Sequence, residues 1–291
     1  MGRLLRWHSL SFGVALSTLV WSSLPSLAQN VTTTAEAQTA LNQGLALVQQ
    51  GQADAALEAF QQATSLDPTL AAAYYNTGLL LRQQGDLQAA AEAFWQAVRS
   101  DPQFAMAYAN LGAALIEGNN ADQAQSYLER AIAIQPDLGN AHYNLGLAYR
   151  NQGRWNEAIA ALQRAAELTP AAPEPHFQIG LIYLQQQQYP QADAALRQTL
   201  AVQPQYPQAH YNLGLSLVNQ GQLEAALDAF RAATDISSHY ADAYYSAGLV
   251  FMQLERYDEA RPVLEYAKNL YITQRNPQWA ATTQAQLDRL P

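Results

Sequence analysis

Small and apolar residues recur along this chain in one fixed phase. Glycine stands at Gly44, Gly78, Gly112, Gly146, Gly180, Gly214 and Gly248, each 34 residues after the last. Twelve positions after each glycine comes alanine, at Ala56, Ala90, Ala124, Ala158, Ala192, Ala226 and Ala260. Seven further on lies a second small row: Ala63, Ala97, Ala131, Ala165, Thr199, Ala233 and Ala267. Between these fixed points apolar residues keep helical spacing. Tyr74, Gly78 and Leu81, then Ala90, Phe94 and Ala97, are i, i+4 and i+7 twice over. The pattern predicts two amphipathic helices in every unit, with units at 37–70, 71–104, 105–138, 139–172, 173–206, 207–240 and 241–274. A period of this length means a stacked array, since one unit cannot bury its apolar face alone.

Glycine inside a helix costs roughly 1 kcal/mol against alanine, so seven of them in phase need a packing reason. Close approach supplies one. Glycine on the first helix is expected to face alanine on the second, bringing the two together as an antiparallel pair while Leu, Phe, Tyr and Trp fill the spaces between pairs. Gly51, Gly85, Gly153 and Gly221 mark the turn within a pair, where a left-handed residue closes the first helix. Pro68, Pro102, Pro136, Pro170 and Pro204 end the second helices, because the residue before proline is pushed out of the helical region. Ahead of the first unit, residues 29–36 read as a linker, in which Thr33-Thr34-Ala35-Glu36 is a capping-box pattern that could start the first helix. Residues 275–291 hold one more helix after Asn276-Pro277, with Trp279, Thr283, Leu287 and Leu290 along one side to cover the last pair.

The set Tyr143-Asn144-Leu145-Gly146, Tyr149, Gly153, Trp155, Ala158, Leu162, Ala165 and Pro170, repeated in phase, resembles the tetratricopeptide repeat. The resemblance implies an all-α fold, a right-handed superhelical solenoid of stacked antiparallel helix pairs whose first helices line a concave wall. It is similar to the repeat arrays of O-linked N-acetylglucosamine transferases, here expected without a catalytic domain. The first and last units depart from the pattern, with Ala40 and Gln43 in the first and Ile272 in place of proline in the last. Both departures suit terminal units that meet water.

Numbering each unit from one, place six reads Asn42, Asn76, Asn110, Asn144, Gln178, Asn212 and Ser246, and place thirteen is polar throughout. Two turns separate them, so they form parallel ladders on one helix face. Place five is mainly aromatic, with Tyr75, Tyr143, Phe177, Tyr211 and Tyr245, and place nine mainly leucine, including Leu147, Leu181 and Leu215. The candidate peptide-binding residues are accordingly Asn76, Asn110, Asn144 and Asn212 for a ligand backbone, with Tyr75, Tyr143, Tyr211, Leu147, Leu181 and Leu215 for its side chains. The same rows could instead serve repeat packing. A clamp for the acidic C-terminal tails that some members of this family hold is not expected, because places two, five and nine carry no lysine or arginine. Place four presents His142, His176 and His210. Equivalent places on successive pairs lie roughly 10 Å apart, too far to share one metal ion, so a structural role is expected for them.

Composition narrows the rest. The 291 residues contain no cysteine, which removes disulfides, thiolate metal sites and thiol catalysis. Fifteen basic residues against 24 acidic ones leave no cationic footprint for nucleic acid. No phosphate loop, metalloprotease motif or nucleophile elbow occurs, so no enzyme activity, cofactor or metal is expected. Arg3 and Arg6 precede an apolar run from Leu10 to Trp21, followed by Ser26-Leu27-Ala28 ahead of Gln29. This reads as a secretory signal peptide over 1–28 and an exported protein of the periplasm or another extracytoplasmic space of a bacterium. The run of about 12 residues is short against the ~17 to 25 of a spanning helix, which disfavours an uncleaved anchor. The chain is therefore expected to be a non-enzymatic protein-interaction scaffold aiding assembly of an envelope complex. The alternative is a self-associating array whose groove receives Gln29 to Glu36 of a neighbouring copy.

Overall fold

The computed structural model describes residues 24–291, with side chains from residue 33 onward. Most of the signal segment, 1–23, lies outside the described residues. Among the described residues there are fifteen α-helices and no strand. The fold is all-α, and its helices form two compact units that divide at Pro102.

The first unit holds two antiparallel pairs, α1 (Leu24–Gln49) with α2 (Ala53–Leu66) and α3 (Ala71–Gln83) with α4 (Leu87–Ser100). The capping-box pattern at Thr33 does not begin a helix: α1 is already formed at Leu24, and Thr39 donates its hydroxyl to the Ala35 carbonyl one turn back. The second unit stacks five pairs. These are α5 (Ala105–Glu117) with α6 (Ala121–Ile134), α7 (Gly139–Asn151) with α8 (Trp155–Leu168), and α9 (Glu174–Gln185) with α10 (Tyr189–Val202). They continue as α11 (Pro207–Asn219) with α12 (Leu223–Ile236) and α13 (Ala241–Gln253) with α14 (Tyr257–Thr273), and α15 (Pro277–Leu287) packs on α14.

Inside each pair the repeat glycine lies beneath a large side chain. A Cβ added at Gly78, Gly112, Gly146, Gly180, Gly214 or Gly248 would come within 2.5 to 2.8 Å of a carbon of Phe94, Leu128, Leu162, Leu196, Phe230 or Leu264 respectively. The expected partner, alanine, is therefore corrected. The two alanine rows are fully buried in their own right, and the glycine makes room for the Phe or Leu four residues beyond the first of them. These large side chains are also fully buried, and they carry the core from pair to pair: Leu162 meets Ile179 and Ile182, Leu196 meets Leu213 and Leu217, and Leu264 meets Leu287 and Leu290 of the last segment. A third row, Ala73, Ala107, Ala141, Pro175, Ala209 and Ala243, is buried as completely.

The repeat ends test the role assigned to proline. Asp67 and Gln203, each before proline, are extended at φ −135° and −130°. Ser237 has Ser238 after it and still adopts φ −131°, ψ 92°. In the last unit, where Ile272 replaces proline, α14 runs on to Thr273. The difference is stacking: α12 is followed by another pair that claims the chain, whereas α14 is followed only by α15. Proline reinforces a break that the next pair imposes.

The candidate groove

The face formed by places two, five, six, nine and thirteen of the first helices brings the sequence-predicted residues of each unit into rows. Tyr75, Tyr143 and Tyr211 are half-buried, and Leu147, Leu181 and Leu215 are half-buried beside them. Two of the tyrosines are held by rings beneath or after them, while Tyr143 packs against the aliphatic cluster around Leu162. Tyr75 lies 5.8 Å from Phe94, and Tyr211 lies 5.9 Å from Phe230 and 5.0 Å from Tyr240. Place thirteen is exposed throughout, as at Gln83, Asn151, Gln185 and Asn219.

The asparagines are less free than their row implies. Asn76 and Asn212 each donate Nδ2 to the carbonyl one turn back, of Ala72 and Gln208, at 2.7 Å, and Asn110 does the same to Met106 at 2.9 Å. Asn110 is also only 9% exposed. One N–H of each amide is thus spent on its own helix, while Oδ1 and the second N–H keep a fixed direction. Asn144 makes no such bond. Its repeat instead carries a network that links successive pairs: Arg150 donates to Gln178 Oε1, and the Tyr143 hydroxyl lies within reach of the same Gln178. Tyr211 repeats the arrangement with Ser246. Burial raises the Tyr143 and Tyr211 hydroxyls above the usual tyrosine range, with the neighbouring amide or hydroxyl opposing the shift. The rows therefore tie repeat to repeat as well as lining the face.

Arg150, at place twelve, lies outside places two, five and nine, where the absence of cations is visible in the sequence. It is the groove's one arginine in the second unit at that place, and its contact with Gln178 depends on side-chain reach across a pair boundary. Glu174, at place two, carries no motif that marks it in the sequence. It makes no hydrogen bond or ion pair among the described residues, yet its charge acts on both Tyr143 and Tyr206, whose hydroxyls burial raises first and this carboxylate second or further.

The histidine row is structural where it is bonded. His142 Nε2 lies 3.0 Å from the Pro136 carbonyl and His210 Nε2 lies 2.9 Å from that of Pro204. His176 lacks the bond, and its buried Nδ1 has no partner. Among the described residues no three His, Asp or Glu side chains converge in a metal-ligating group. Nor is any described helix long and apolar enough to cross a membrane.

Comparison with known families matches this chain to profiles described as tetratricopeptide repeat over residues 41–105 and 177–241, 81–148 and 241–271, and to one described as TPR repeat over 146–187. No curated protein matches the chain. Among solved structures, YrrB superposes with a TM-score of 0.54 at 23% identity, covering 66% of this chain and 99% of that one. PilF of Pseudomonas aeruginosa gives 0.62 at 21%, covering 73% and 97%. PilW gives 0.64 at 18%, covering 71% and 96%. At these identities the likeness is one of fold.

Proposed function

The chain belongs to the tetratricopeptide-repeat family, and on that premise we propose that it is a non-enzymatic protein-interaction scaffold whose groove holds an extended segment of a partner protein. The observation that carries this reading is the face of the second unit, where half-buried tyrosine and leucine rows run beside amides held in fixed orientations by bonds to their own helix. Amides match the N–H and C=O of an extended backbone, and the apolar rows can receive its side chains. YrrB, described as a TPR protein with an unusual peptide-binding site, and PilW, described as a type IV pilus biogenesis factor, support respectively the mode of binding and a role in assembling an envelope structure. The secretory pattern at 1–28 supports an exported location.

The test replaces Asn144 with alanine and Leu147 and Leu181 with asparagine in one chain. Once helicity and melting match the parent, the proteins it captures from the exported fraction are compared with the parent's. Loss of capture is expected. Capture at the parental level would move the binding face elsewhere, and a stable dimer by light scattering that the triple change dissolves would replace the scaffold reading with self-assembly.

A further inference from the structure

The junction between α7–α8 and α9–α10 has a local sequence of its own, with Gly139 on one side and Pro173, Glu174 and Pro175 on the other. Its entrance holds a cavity of about 210 Å³ lined by Gly139, Asn140, Tyr143, Thr169, Ala172, Glu174 and Pro175, whose exposed surface is almost wholly apolar, with the exposed Glu174 at its edge. The local sequence explains it. Gly139 has no side chain, and a Cβ there would come 2.6 Å from the Thr169 methyl group. Thr169 is in turn fixed by donating its hydroxyl to the Ala165 carbonyl at 2.7 Å. Pro175, fully buried, stands where the other repeats of the second unit have alanine and backs the cavity.

We infer that this cavity is a subsite for one lysine or arginine side chain of the bound segment, with the aliphatic stem lying against Tyr143 and Ala172 and the cationic head on Glu174. The inference rests on the groove reading above and deepens it. Three arguments select a cation. Glu174 is exposed and has no ion-pair or hydrogen-bond partner of its own. The other acid at place two, Asp242, accepts the Tyr271 hydroxyl at 2.6 Å and is already engaged. Finally, a purely apolar ligand side chain would draw water away from the Glu174 carboxylate without replacing it, whereas a lysine or arginine fills the apolar volume with methylenes and supplies the counter-charge. The Tyr143 ring adds a face on which a cation is favoured. Arg150 is engaged elsewhere, its guanidinium donating to Gln178 Oε1.

The probe is a set of four pools of amidated nonapeptides, random in Ala, Asn, Leu and Tyr except for a central Arg, Lys, Leu or Glu. Retention on the immobilised full chain is read by mass spectrometry at two salt concentrations. The Arg and Lys pools are expected to be retained about three- to tenfold over the Leu pool and the Glu pool least, an excess that Glu174→Gln abolishes and Glu174→Lys reverses. Equal retention of Arg and Leu pools, unchanged by Glu174→Gln but lost with Leu147→Asn and Leu181→Asn, would overturn the subsite and leave the groove standing. Retention of Arg peptides that survives both sets of changes would show general attraction to an acidic protein and overturn the subsite. No pool held above the level of the Leu147/Leu181 variant would overturn both.

Discussion

Repeats four and five, residues 139–172 and 173–206, share one interior and almost nothing else. In both, a glycine sits beneath a leucine: a Cβ at Gly146 would lie 2.6 Å from Leu162 Cγ, and one at Gly180 would lie 2.8 Å from Leu196 Cγ. Both bury their two small rows completely, Ala158 with Ala165 and Ala192 with Thr199. Outside that interior they diverge. Repeat four turns on Gly153 at φ 73°, repeat five on Gln187 at φ 58°. His142 is hydrogen-bonded to the preceding repeat's end and His176 is not. Repeat four opens with Gly139 and repeat five with Pro173, Glu174 and Pro175, and the cavity lies between them. The difference separates what stacking requires, which is repeated, from what one position in the array can vary, where recognition is free to develop.

If the interiors are equivalent, the same damage should cost the same in both. Gly146→Leu and Gly180→Leu are each expected to lose about 3 kcal/mol or more, at or beyond the upper end of the ~1 to 3 kcal/mol range for overpacking, because even the Cβ has no room. Urea denaturation followed by circular dichroism measures this, and unfolding should begin around the altered pair, each pair leaning only on its neighbours. A near-neutral Gly180→Leu beside a crippling Gly146→Leu would end the equivalence.

The turn should give effects of opposite sign. An L-residue in the left-handed region carries roughly 1 to 2 kcal/mol of strain that glycine avoids. Gln187→Gly is therefore expected to stabilise by about 1 kcal/mol, less glycine's greater chain entropy, and Gly153→Gln to destabilise by at least as much. Matching shifts in the same denaturation midpoint check both, and a loss on Gln187→Gly would mean that its side chain supports the turn.

This asymmetry shows how far the sequence could be read. The pair interior was legible because it is set by a 34-residue phase of glycine and alanine, and a phase survives translation into structure directly. The identity of the glycine's partner was not, since Leu162 and Ala158 are one helical turn apart and only geometry says which of them leans over Gly146. The positive-φ places were legible at Gly153 but not at Gln187, Asn119 or Glu255, although the same spacing reaches them. The asparagine row was visible as a row. Its inward bonds, as from Asn212 to Gln208, depend on rotamers that no spacing fixes. The cavity was hidden for a different reason: its walls are supplied by two separate repeats.

The smallest expected effect sharpens the histidine contrast. His176 stands in an outer groove between α8 and α10, lined by Gln163, Ala166, Glu167, Ile179, Tyr183, Gln191 and Gln198, and burial lowers its pKa below the ordinary histidine value. Glu167, the charged group lining that groove, is paired with Arg164 at 2.8 Å rather than with the imidazole. With the folded-state pKa depressed, the unfolded chain takes the proton more readily. Stability from this group is therefore intact above the unfolded value of about 6.5 and falls as pH drops below it, until the folded state also protonates. His176→Gln is expected to remove part of the stability lost between pH 7 and pH 5. In His142→Gln, which gives up the contact of Nε2 with the Pro136 carbonyl but leaves His176 in place, the loss should persist. Melting temperatures of the parent and the two variants across this interval check the sign. An acid dependence unchanged by His176→Gln would show that its open Nδ1 is met by water and that repeats four and five are, at this place, alike.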